Sequence, residues 1–112
     1  MSEYEVYCSH GSIRVLKAGK PIHMLKLLEL AEPAFSCGDD SDGSRNLAYA
    51  ILSDFAGDLY AQSWCEDFMF QFVTHERRLT WSITTMQIDK YIALLSQAKL
   101  LAQKPINKLE TI

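Results

Sequence analysis

Cys37 to Leu52 reads CGDDSDGSRNLAYAIL, which sets Asp39, Asp40 and Asp42, with Gly38 and Gly43, directly in front of an apolar run. Aspartates and glycines in this density suit cation binding, phosphate binding or the opening of a helix. Calcium can be tested by register. If Gly43 is the turn glycine of a calcium loop, the first ligand position falls on Gly38 and the last on Tyr49, where the ion needs an aspartate and a bidentate glutamate. The loop fails at both ends. A Walker-type phosphate loop fails because no lysine follows Gly43.

The string DSDGS is similar to the aspartate-nucleophile loop of haloacid-dehalogenase-type phosphatases. That loop follows a buried strand in a doubly wound α/β domain, whereas here FSCGD precedes it and the chain has no parallel-sheet pattern. The simplest reading is that Asp42 or Ser44 caps a helix, with the aspartates also meeting the positive end of its dipole. Any function left to the loop is then that of an exposed acidic surface.

The other reactive types are dispersed. His10, His23 and His75 stand in separate segments, and none sits four residues from another ligand on a helix. Cys8, Cys37 and Cys65 are odd in number and form no Cys-x-x-Cys pair, so they are expected as reduced, packed thiols. A Cys and His nucleophilic pair lacks an identifiable orienting third group. No catalytic residue is assigned, and the chain is expected not to be an enzyme. Arg77 and Arg78 follow a helix end, where cations suit the dipole. WCEDFMFQF has helical spacing, and its Glu66 and Asp67 would repel phosphate, so its aromatics are expected in the core rather than as base-stacking platforms.

These groups need elements to hold them. YEVYC and SIRVLK, separated by SHG, predict a β-hairpin, and Ala18-Gly19-Lys20-Pro21 breaks it. IHMLKLLEL suits a helix or a buried strand equally. Leu47, Ile51 and Phe55, flanked by Ala48 and Leu52, predict a helix from about Ser44 to Ala56. Gly57 stops it and Asp58 caps the next, which carries Ala61, Trp64, Cys65, Phe68 and Phe72 on one stripe and runs to about Thr74. Thr80 to Ile83 suits a short strand. Thr84 and Gln87 have capping-box spacing for a last helix that continues to about Gln103, before Pro105. The expected fold is α+β, an N-terminal β-hairpin or small antiparallel sheet packed with about three helices. Residues 1–103 are expected as one compact domain and 104–112 as a mobile tail.

The chain has 112 residues, 48% hydrophobic and 22% charged, which is the composition of a globular domain. No apolar run approaches the roughly 18 residues of a spanning helix, and MSEYEVYCSH has acids where a signal peptide carries bases. A cytoplasmic location is expected. The net charge of -3 hides a strong asymmetry. Leu27 to Asp67 holds nine acids and one base, a local charge of -8, between flanks of +2 and +3.

From Gly38 to Leu52 the chain resembles a family of small uncharacterised bacterial and phage proteins, whose signature is a turn of the type G-Y-G-G-S-G-P opening an L-A-L-A-I-L helix. Gly38, Gly43, Leu47, Ala48, Ala50, Ile51 and Leu52 fit that register without a gap. LTWSITTMQI resembles the family's later W-x-[IL] segment, extending the likeness to about Tyr4 to Leu95. Asp39, Asp40 and Ser41 replace an aromatic and glycines, and Ser44 replaces a proline. The resemblance implies a small α+β fold and a mobile-element setting, with no activity attached.

The leading expectation is a non-enzymatic interaction module without a cofactor. It would be a phage or mobile-element inhibitor of a host defence complex, of the anti-CRISPR kind, docking Asp39, Asp40, Asp42, Glu66 and Asp67 on a basic, nucleic-acid-binding surface. The rival is a small-ligand- or metal-binding protein that uses the glycine and aspartate loop. Direct nucleic-acid binding rests only on Arg77, Arg78 and the lysines of the tail, membrane binding has no support, and a homodimer is compatible with each reading.

Overall fold

In the computed structural model the described residues are 3–9, 12–31 and 33–110, with side chains described up to residue 100. His10 and Gly11 of the expected turn, Glu32 of the acidic segment and the side chains of the tail lie outside them.

The fold is α+β. Four antiparallel strands, β1 (Glu3–Ser9), β2 (Ser12–Lys17), β3 (Lys20–Pro21) and β4 (Thr80–Thr84), form one sheet in the order β3-β2-β1-β4. The helices are α1 (Asp42–Ala56), α2 (Asp58–Phe68) and α3 (Thr85–Glu110). A single π-helical turn, Met69–Val73, extends α2. No described helix is long and apolar enough to cross a membrane.

Strand alternation sets which face of the sheet is buried. Val6 pairs with Val15 on one side and Trp81 on the other, Tyr4 pairs with Ile83, and all five are buried. Against this face α1 contributes Leu47, Ile51 and Leu52, and α2 contributes Ala61, Cys65 and Phe68. A fully buried side chain of this size stabilises by about 1.5–3 kcal/mol. Tyr4 is wholly buried, and its hydroxyl donates to Asp54 Oδ2 at 2.8 Å, tying β1 to the last turn of α1. Burial, then the hydrogen bond and charge of Asp54, push the Tyr4 phenol well above its ordinary pKa.

The hairpin, the Thr80 strand and three helices match the expectation, and the differences are local. Ala18 and Gly19, expected as a break, have φ of 53° and 79° and turn the chain back so that Lys20–Pro21 joins the sheet. Positive φ at both central residues is what a two-residue hairpin turn requires. The undecided segment after Pro21 is neither helix nor strand. The wholly buried Asn46 of α1 organises it: Oδ1 accepts from the amides of Leu27 and Leu28 at 3.1 and 2.8 Å, and Nδ2 donates to the carbonyls of Leu28 and Ala34 at 2.9 and 3.0 Å. An apolar string needs no ladder when one amide side chain satisfies its backbone.

The expected caps are corrected at two helices. Ser41, not Asp42 or Ser44, caps α1, with its hydroxyl accepting from the Ser44 amide at 3.4 Å. Gly57 occupies the N-cap position of α2 without a side-chain bond, and Asp58 is the first helical residue. At α3 the capping box forms as expected: Thr84 N–H donates to Gln87 Oε1 at 2.8 Å and Gln87 N–H to Thr84 Oγ1 at 3.0 Å. Helical backbone continues past Gln103 to Glu110. Pro105 therefore does not stop the helix, although it removes one helical hydrogen bond there.

Candidate functional site

The loop from Pro33 to Ser41 runs between the end of the sheet and the start of α1, and two close approaches dictate its glycines. Gly38 has φ of 83° and its amide donates to the Val73 carbonyl at 2.9 Å. A Cβ at Gly43 would lie 2.6 Å from Ser36 Oγ and 3.2 Å from the Ser36 backbone nitrogen, so any larger residue there would push Ser36 away from the first turn of α1.

Asp39 points back into this loop. Its Oδ1 accepts from the hydroxyls of Ser41 and Ser44, both at 2.6 Å, from the Ser41 amide at 3.1 Å and from Ser36 Oγ at 3.4 Å. Burial works to raise the Asp39 pKa, but these donors outweigh it and hold the carboxyl below its ordinary value. Asp39 thus shapes the loop and holds the serine that caps α1. Ser36, Ser41 and Ser44 had no apparent role in the sequence beyond capping. They stand three residues before Asp39 and two and five after it, an irregular spacing that gives no signal in the sequence.

Arg45 gathers two of the remaining acids. Its Nη1 contacts Asp42 at 2.8 Å and its Nη2 contacts Glu66 at 3.4 Å, so the first turn of α1 and the middle of α2 share one surface. Asp42 and Glu66 are more than half exposed, and Asp40 is exposed on the loop beside them. Asp67 turns to α3, where Lys99 Nζ lies 3.2 Å from its carboxylate and 4.6 Å from the Trp64 ring centroid. Of the five acids singled out, Asp42 and Glu66 are brought together by Arg45, Asp40 is exposed on the loop two residues before Asp42, Asp67 is held by Lys99, and Asp39 accepts hydrogen bonds within the loop. Among the basic candidates, Arg78 is clasped by both carboxylate oxygens of Glu76, at 2.8 and 2.9 Å, and Arg77 is exposed.

The pattern of tertiary contacts also joins two cysteines that are distant in sequence. Tyr4, Val6 and Cys8 alternate inward along β1, and near its end Cys8 Sγ lies 2.7 Å from Cys37 Sγ. A cavity of about 200 Å3 opens beside the pair, walled by Ile13, Pro33, Phe35 and Leu79 as well as the two cysteines. The Cys37 thiol is pushed up to about 12 by burial first and then by its contact with Cys8. Cys65 is buried elsewhere in the core, and burial raises its pKa too. Among the described residues no three His, Cys, Asp or Glu side chains gather as a metal-holding group.

Residues 4–94 match a family of unknown function, DUF6166, and the chain belongs to that family. The match spans nearly the stretch over which an uncharacterised family was expected, and it carries no activity. No curated protein and no solved structure matches the chain.

Proposed function

From membership of a family without an assigned activity, we propose that this protein is a non-enzymatic interaction module, docking the surface formed by Asp40, Asp42 and Glu66 on a basic surface of a partner. The observation that carries the reading is the Arg45 bridge, which brings acids of α1 and α2 to one side while leaving both more than half exposed. A single arginine leaves that surface net negative, and negative surfaces accelerate encounter with basic partners without any catalytic constellation. Asp67 lies at its margin and Asp39 supports it from behind. In the finer form of the proposal the partner surface is one that binds nucleic acid in a bacterial host defence complex, and the module inhibits it by occupying that groove. The charge distribution is the support for this form.

The rival reading, a ligand or metal held by the glycine and aspartate loop, has less support. The Asp39 carboxylate and the Gly38 amide are already engaged inside the loop. Direct nucleic-acid binding is weakened in the same way by the Glu76 clasp on Arg78.

A tagged pull-down from bacterial lysate, comparing wild type with D40N/D42N/E66Q and washed at rising salt, tests the proposal. Wild type should retain a discrete basic protein that leaves as salt rises through about 0.15–1 M, where screening shortens from roughly 8 to 3 Å. The triple variant should not retain it. Equal retention by both proteins would remove the acidic surface from the interaction.

A further inference from the structure

Two cysteines separated by 29 positions meet in the described structure. Cys8 lies one residue before the end of β1 and Cys37 belongs to the loop that opens α1, and their sulfurs are 2.7 Å apart, against roughly 2.05 Å in a disulfide bond. Both residues are half-buried and both wall the adjoining cavity, so the pair borders a space that a small molecule can enter. A third group stands at the pair. Trp81 is 96% buried and its indole nitrogen makes no hydrogen bond among the described residues, while its side chain lies near enough to Cys37 to favour the thiolate there. An indole N–H left without a carbonyl or hydroxyl partner is costly when buried, and a sulfur that becomes negative is the acceptor within its reach.

We propose that Cys8 and Cys37 form a redox-active dithiol that closes to an intramolecular disulfide by exchange with a low-molecular-weight disulfide entering the adjoining cavity.

In the first step the thiolate of one cysteine attacks a sulfur of the incoming RSSR, forming a mixed disulfide and releasing RS⁻, which takes up a proton as RSH. In the second, the other cysteine loses its proton and attacks the protein sulfur of that mixed disulfide, releasing a second RSH. Two protein thiols are oxidised and one RSSR is reduced to two RSH, so electrons and protons balance. The neighbouring sulfur is already in place, so the mixed disulfide should be short-lived. The elevated Cys37 thiol makes the thiolate the scarce species at neutral pH, and closure should speed up as pH rises. Cys65, buried and in contact with no other cysteine among the described residues, is the internal control.

The test uses the native full chain and oxidised glutathione. After incubation, alkylation and peptide mapping should show loss of two thiols, a Cys8 to Cys37 cross-link and an unmodified Cys65, with all three thiols restored by dithiothreitol. C8S and C37S should each stop at one glutathione on the remaining cysteine of the pair. The wild-type result stands without these variants should either fail to fold. Retention of all three thiols would overturn the proposal. So would a stable glutathione adduct on the wild-type pair, or a cross-link that appears only in denaturant.

Discussion

The side chain with most of the irregular segment depending on it is Asn46, which makes four hydrogen bonds from a wholly buried position. Asn46→Ala removes all four bonds, at about 1–3 kcal/mol for each backbone group that then stays unpaired and out of water. Urea unfolding should show a loss of about 3 kcal/mol or more. Asn46→Asp should rescue little of it, because a carboxylate cannot donate to Leu28 and Ala34. Asp39 gives a prediction in pH. A carboxyl held below its ordinary pKa stabilises the fold above the unfolded-state value, about 3.9, and that contribution is lost as pH falls through the lower folded value. Glu76, held down first by its hydrogen bond to Arg78, acts in the same direction. The urea midpoint should therefore fall on acidification below about pH 4. Asp39→Asn should flatten part of that fall and leave the Glu76 part.

At the scale of elements, what was legible in the sequence was what local pattern controls. The capping box at Thr84 and Gln87 involves residues three apart, so spacing revealed it. Gln87→Ala combined with Thr84→Ala should lower stability by about 1 kcal/mol, read as a shift in thermal midpoint. The Asn46 bonds and the cysteine contact join residues 12 to 29 positions apart, and no local period marks them. The Ser41 cap was missed for a related reason. Three adjacent residue types, Ser41, Asp42 and Ser44, all cap well, and Asp39 decides between them by holding the serine hydroxyls. The π turn after α2 belongs here as well. It places the Val73 carbonyl where the Gly38 amide reaches it, fastening the acidic loop to the far end of the helical layer.

Across the whole molecule, the sequence showed an acidic middle, and folding decides how its charges are shared. Asp67 pairs with Lys99 and Asp39 is drawn into loop structure, whereas Asp42 and Glu66 share one arginine and stay more than half exposed, and Asp40 is exposed on the loop. Exposed ion pairs contribute at most about 1 kcal/mol. D40N/D42N/E66Q should therefore unfold within about 1 kcal/mol of wild type in urea, so that any loss of a partner reports on the surface itself. A larger loss would mean that the Arg45 bridge holds α1 to α2 and is not a docking feature.

The engagement of Asn46 with the chain between Pro21 and Ala34 has a consequence in time. The Leu27 and Leu28 amides donate to one side-chain oxygen and not to a ladder, so their protection from solvent hydrogen ends in a single event. Their exchange rates should rise and fall together, apart from those of the β1 to β2 hairpin, making these two amides a paired clock for the opening of that segment.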